Sequence, residues 1–268
     1  KWNIKNIIKK NIKKNFNVID TALGYRNSHK EISKVNLNGY KFNIITKINF
    51  SSNKSFNNYN KENFYLNFYS ILSSLNYNKV DTLLIHDFKD FKKNRSIIMK
   101  IFKELKKLKL IKNYGVSIYN PASLKFLMKN YKNLTIQFPI NFVDYRWSKF
   151  NIKKLKIKSK SILIGRSIFL RGKLLDEGGF LKNNKINKLF KEKLVKIKSI
   201  YKIKSNLELC IKFINSLNFL DNIIFGFEKY NQIMQAIIYK NSKFLEKDSL
   251  YINKQFEFLN TKYIDLSK

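Results

Sequence analysis

Cysteine is all but missing from this chain. Cys210 stands alone, so no internal disulfide can form, which suits a reducing compartment and a cytoplasmic setting. Only 2 prolines and 8 glycines occur in 268 residues, which excludes collagen-like, linker or low-complexity sequence. With 2 histidines and that one cysteine, the usual zinc ligand sets cannot be assembled, and no metal is expected. Acidic residues are scarce, 18 against 54 Lys and Arg, which leaves a formal charge of +36. No apolar run approaches the roughly 20 residues of a membrane span. The basic opening "KWNIKNIIKKNIKK" lacks the apolar core and small-residue cleavage site of a signal peptide.

What is present argues for a folded globule. Hydrophobic residues make up 44%, with 23 Phe and 15 Tyr, enough to bury a large core in one big domain or two small ones. The excess of Lys is spread along the whole chain, as in "FKELKKLKLIKN" and "NIKKLKIKSKS", and no arm or stripe concentrates it. These lysines read as solvated helix faces that attract anions in a salt-dependent way. Specific nucleic-acid binding is therefore not expected, and a basic nucleic-acid-associated protein is the weakest reading.

Short apolar runs alternate with helical patterns. The runs are "FNVID" (16–20), "FNIITK" (42–47), "DTLLIH" (81–86), "NYGVS" (113–117), "TIQFPIN" (135–141), "SILIGRS" (161–167) and "NIIFG" (222–226). Each is short and β-rich, as a buried parallel strand is. Helices are expected over 62–75, 95–111, 120–131 and 206–217, the third with Asn120 as N-cap and Pro121 at its first position. Seven strands with intervening helices and no composition break predict an α/β protein, a (β/α)8 TIM barrel over an open sheet, in one domain spanning 1–268. No G-x-G-x-x-G is present to support a doubly wound nucleotide fold.

Asp20, Lys47 and His86 each close a strand. Singly, they read as a helix cap, a surface lysine and a core histidine. Jointly, the same register on three successive strands points to one active face, because the carboxyl ends of barrel strands converge there.

These residues resemble the aldo-keto reductase family, and a bacterial subgroup of it. "DTALGYRNSH" is similar to the family's D-T-A-x-x-Y-G-x-S-E at Asp20, Thr21, Ala22, Tyr25 and Ser28. "IITK" and "VDTLLIH" carry the family's Lys and His. "GVSIY" keeps Ser117 but has Ile118 where Asn is usual. "IQFPINFVDYRW" and "GRSIFLRGKLL" resemble subgroup patterns, with Arg171 in place of Gln. The resemblance implies hydride transfer between a nicotinamide and a carbonyl carbon. Tyr25 would be the general acid; a free Tyr ionises near pH 10, and a cation beside it, Lys47, would favour the phenolate. Asp20 would hold Lys47, and His86 would orient the carbonyl. Ser117 and Gln137 would bind the nicotinamide amide. Arg166 and Ser167 would lie beside its ring, Arg166 by stacking or, equally, as an ion-pair partner. Gly226, Lys229 and Gln232 fall in the last cofactor loop; Gln232 stands where Arg is common, so NADP(H) is implied with NAD(H) left open. The substrate would be a small carbonyl compound, sugar-derived by analogy with the subgroup. The competing reading within the family is a catalytically decayed binding module. The oligomeric state is not readable.

Two departures carry expectations. Arg26 and His29 replace the usual Gly and Glu of the Tyr loop. The family's first strand precedes the opening helical segment and has no counterpart here. The chain therefore reads as truncated at its N-terminus, with a tail over 242–268 packing outside the barrel.

Overall fold

The computed structural model describes residues 16–25, 27–37, 42–50, 59–227 and 230–265. The expected opening helix, the reading of a missing first strand, Arg26 and Lys229 all fall outside these residues. The described residues form two compact units, one running through Ile118 and including Leu134–Ile136, the other holding Tyr119–Asn133 and the residues from Gln137 onward.

The first unit alternates strands and helices: β1 (Val18–Asp20), α1 (Ser28–Leu37), β2 (Asn43–Ile48), α2 (Tyr59–Leu75), β3 (Val80–Ile85), α3 (Phe88–Lys107) and β4 (Ile111–Ser117). All pair in parallel, and the register lines up Lys47 with Leu84 and Leu84 with Gly115. Strands β2 and β3 are buried on both faces, which explains why they read as nearly unbroken apolar runs. Helix α3 begins seven residues before the expected start. Asp87 caps it by accepting from the Lys89 N–H at 2.6 Å, and Asn94 interrupts it with non-helical angles. The kink divides the short capped turn from the long amphipathic stretch whose periodicity is visible in sequence. Beyond the kink, Ile98, Ile101, Phe102 and Leu105 form the buried stripe, and the Phe102 ring stacks on Tyr114 of β4 at 4.9 Å.

The second unit holds α4 (Pro121–Asn130), α5 (Ile152–Ser159), β6 (Ile162–Arg166), α6 (Asn184–Ile200), α7 (Asn206–Asn215), β7 (Asn222–Ile223), α8 (Tyr230–Tyr239), α9 (Glu246–Lys254) and α10 (Thr261–Ile264). Asn120 caps α4 by accepting from the Ser123 N–H at 2.9 Å, with Pro121 opening the helix. Strand β5 (Thr135–Pro139) is wholly buried, and strand order in the seven-stranded sheet follows chain order. The last 20 described residues are anchored by polar contacts. Asn253 Nδ2 donates to Phe142 O at 2.9 Å, and the Phe256 ring meets Phe142 and Phe190 at 5.1 and 5.5 Å. Buried Asp144 accepts from Arg146 and from Trp147 Nε1, and Arg146 reaches on to Asp265 at 3.0 Å.

Candidate active site

Four side chains of the first unit gather at the carboxyl ends of its strands. Asp20 is the last residue of β1, Lys47 the next-to-last of β2, and His86 follows β3 directly. Lys47 is 1% exposed, an unusual burial for an ammonium. It is held from three sides: Asp20 Oδ1 and Oδ2 accept at 2.7 and 2.6 Å, and Thr21 O accepts at 3.1 Å. The strand ends are locked together around it. The N–H groups of Thr21 and Leu23 donate to Ile45 O and Lys47 O, and that of His86 donates to Ile48 O.

Tyr25 sits on the turn between β1 and α1. Its N–H donates to Ala22 O at 3.0 Å and its carbonyl accepts from Ser28 N–H at 2.9 Å, a compact loop that returns the ring over the strand ends. A hydroxyl pair, Thr21 with Ser28 at 2.9 Å, closes the loop at its base. The Lys47 ammonium lies 5.4 Å from the Tyr25 ring centroid, and the His86 ring meets that ring edge-on at 6.2 Å. Tyr25 is 44% exposed, so a ligand can reach it while Lys47 beneath stays dry.

The clamp on Lys47 sets an expectation. Removing one partner of a buried pair leaves the other charge uncompensated, at a cost of about 3–5 kcal/mol. Asp20→Ala should therefore lower stability by that order in a urea melt, whereas Asp81→Ala, which removes one hydrogen bond to the Ile44 N–H, should cost about 1 kcal/mol. Equal losses would mean that the pair is not the keystone of this face.

His29 occupies the first turn of α1 and is buried against α2. Ser74 donates its hydroxyl to Ile71 O, so it accepts from His29 Nδ1–H at 3.0 Å; Nε2 is then the bare nitrogen, buried with no hydrogen-bond partner among the described residues. Burial holds the imidazole below its ordinary value of 6.5. The unfolded chain then takes up a proton that the folded chain refuses. Stability from this group is complete above pH 6.5 and is lost as pH falls from there through the lower folded value. The melting temperature should drop across that window, and His29→Asn should flatten the drop. A variant whose pH profile matches the parent would rule His29 out as the sensitive group.

The residues assigned to cofactor contacts are placed as follows. Ser117 ends β4, is 1% exposed, and its hydroxyl has no hydrogen-bond partner among the described residues. Gln137 is central in β5 and fully buried. Arg166 ends β6; its guanidinium carbon lies 4.4 Å from the Tyr119 ring centroid and its Nη1 donates to Ser167 Oγ at 3.3 Å. Gly226 is exposed beyond β7, and Gln232 lies in the first turn of α8. Sequence reasoning did not identify Tyr119 as the partner of Arg166. It also missed the backbone after β6, where Ser167, Leu170 and Arg171 all take positive φ (57°, 49° and 56°). Such residues cost of order 1–3 kcal/mol each and cluster at ligand sites. A run of non-glycine residues gives no sign of this beforehand.

Comparison with known proteins bears on the whole chain. The model of the aldo/keto reductase family matches residues 3–257. A search of curated protein sequences finds no match. Among solved structures, an aldo-keto reductase from Bacillus halodurans in its apo form is similar with a TM-score of 0.73 and 17% identity, covering 94% of this chain and 85% of that one. The glycerol dehydrogenase of Gluconobacter oxydans is similar at 0.67 and 15%, covering 94% and 83%. An aldo/keto reductase from Brucella melitensis is similar at 0.64 and 20%, covering 91% and 86%. At these identities the likeness carries the fold, a parallel-stranded α/β barrel with seven strands in the residues described.

Proposed function

Because the chain belongs to the aldo/keto reductase family, we propose that it is an NAD(P)H-dependent carbonyl reductase or alcohol dehydrogenase with Tyr25 as general acid. The observation that carries this reading is the dry, carboxylate-clamped Lys47 ammonium 5.4 Å from an exposed Tyr ring with His86 at its edge.

The chemistry follows from that arrangement. As a carbonyl oxygen takes on alkoxide character, Tyr25 Oη gives it a proton. The phenolate left behind is stabilised by the Lys47 cation, whose own position is fixed by Asp20. A hydrogen bond from His86 to the same oxygen orients the carbonyl and shares the developing charge. The nicotinamide, when bound, supplies the hydride. In the oxidative direction Tyr25 recovers the proton from the alcohol.

The residues suit that cofactor. The buried hydroxyl of Ser117, with no partner among the described residues, matches what a carboxamide would satisfy. Gln137 is assigned to the same group on sequence grounds. Arg166 ends β6, and Ser167 opens a turn with positive φ of the kind that lines ligand sites. Gly226, Lys229 and Gln232 complete the assignment on sequence grounds, with NADP(H) as the cofactor and NAD(H) as the alternative. The substrate is a small carbonyl compound, the chain works as one cytoplasmic catalytic domain, and no specific nucleic acid is its partner. Among the described residues no helix is long and apolar enough to cross a membrane.

Fluorescence titration with NADPH and with NADH tests the reading. Saturable binding of one of them, together with turnover of a panel of aldehydes, is the expected result. Cofactor binding without turnover would assign the chain to the decayed relatives. No binding of either nucleotide, with DNA binding that survives about 200 mM salt, would overturn the reading.

A further inference from the structure

Thr21 spends each of its polar groups on a different part of the site. Its N–H donates to Ile45 O of β2 at 2.8 Å. Its carbonyl accepts from the Lys47 ammonium at 3.1 Å. Its hydroxyl pairs with that of Ser28, seven positions along, at 2.9 Å. The residue is 1% exposed, so on its side these bonds are shielded from bulk water.

The two stems of the tyrosine loop are held differently. The outgoing stem lies on β2, since the Thr21 and Leu23 N–H groups donate to Ile45 O and Lys47 O. On the returning stem, the Ser28 N–H donates to Tyr25 O, which belongs to the loop itself. The Thr21–Ser28 pair ties this stem to the outgoing one. Tyr25, between them, is 44% exposed, and a ring so open receives little positioning from packing. Nothing among the described residues lies within 4 Å of a Cβ built at Gly24, so no neighbour hems in the loop tip there.

Thr21 thus joins two positions that the chemistry must keep in step. One is the ammonium that stabilises the phenolate; the other is the phenol. A misplacement of about 1 Å at a reacting group can cost about a hundredfold in rate.

We propose that Thr21 is a positioning residue for Tyr25. Through Ser28 it ties the loop that carries the phenol to the carbonyl that grips Lys47, so that acid and cation keep register. Being buried, it acts through Tyr25 and not on the substrate. The inference rests on the reductase reading of this site and deepens it.

Three variants isolate the hydroxyl bond. Thr21→Val keeps the shape and both backbone groups and removes the hydroxyl. Ser28→Ala removes the same bond from its half-buried side. Thr21→Ser retains it. Thr21→Val and Ser28→Ala should each lower kcat by roughly tenfold to a hundredfold, the cost of a misplacement of up to about 1 Å. NADPH affinity and the aldehyde KM should hold, as for an interaction that matters only in the transition state. The double variant should be no slower than the worse single one, because both changes delete one bond. Thr21→Ser should recover the parent rate.

Hydrogen exchange gives a reading free of turnover. The Tyr25 and Ser28 amides should exchange about tenfold faster in Thr21→Val, the share of one net hydrogen bond, and at the parent rate in Thr21→Ser. Should Thr21→Val not fold, Ser28→Ala takes its place in both measurements. A parent kcat in the valine variant, losses that add in the double variant, unchanged loop exchange, or a serine variant as slow as the valine one would each overturn the proposal. Failure of the reductase reading shows separately, as no NADPH oxidation by the parent chain with any of a panel of aldehydes; loop exchange then decides the tie on its own.

Discussion

Tyr25→Phe should lower kcat for carbonyl reduction by roughly a hundredfold to ten-thousandfold, the usual worth of a positioned general acid, and leave NADPH affinity almost unchanged. The substitution removes one oxygen and keeps the ring. The contacts of that ring with the Lys47 ammonium at 5.4 Å and with His86 at 6.2 Å survive, so the loop between β1 and α1 has no reason to move. Cofactor affinity is assigned to residues of other strands, Ser117 and Gln137 among them. Stopped-flow reduction of one verified aldehyde, beside a cofactor titration, separates the two effects. A variant that turns over at the parent rate removes Tyr25 from the chemistry, and one that loses the cofactor as well gives the ring a binding role.

Gly115→Ala should be among the most damaging single changes available to the fold. A methyl group built at this position lies 1.6 Å from Thr135 O, 2.6 Å from its carbonyl carbon and 2.9 Å from its nitrogen. All three are backbone atoms of a buried strand, with no flexible end to swing away. Strand β4 can accept the methyl only by separating from its neighbour. A loss above about 4 kcal/mol is expected, in the exceptional tail of single substitutions, a large share of the roughly 5–15 kcal/mol by which a domain is stable. Gly24→Ala is the control: nothing lies within 4 Å of its added methyl, and the change should stay within about 0.5 kcal/mol. Urea melts of the two variants decide the matter, and equal midpoints would refute the close approach of β4 to Thr135.

Much of the fold was legible because its signal is local. Seven short apolar runs overlap the seven strands; the signal is strongest in β2, β3 and β5, where burial on both faces demands apolar residues along the strand. The capped start of α4 was legible for the same reason: Asn120 and Pro121 act on their own neighbours. Asp20, Lys47 and His86 could be singled out because strand ends converge, so register along the chain becomes proximity in space. What resisted reading depends on distant partners. The first turn of α3 was hidden because Asn94 breaks its periodicity. The bare nitrogen of His29 follows from Ser74, 45 residues further on, having spent its own hydrogen on Ile71. The stack of Arg166 on Tyr119 joins the end of β6 to the loop after β4, and no spacing rule connects them. The tie from Arg146 to Asp265 spans 119 positions, and nothing near either residue announces it.

That last tie gives the molecule a built-in optical probe. The chain has 2 tryptophans, at positions 2 and 147. Trp147 is buried, its ring 4.6 Å from Phe138 and its indole N–H bound to Asp144, the same carboxylate that grips Arg146. Its emission should therefore be blue while Asp265 holds Arg146 and shift red when that contact opens and water reaches the ring. With tryptophan 2 replaced by phenylalanine, the emission would follow Trp147 alone, and a red shift at a lower denaturant concentration than the loss of helical circular dichroism would mark release of the helix Thr261–Ile264 ahead of global unfolding.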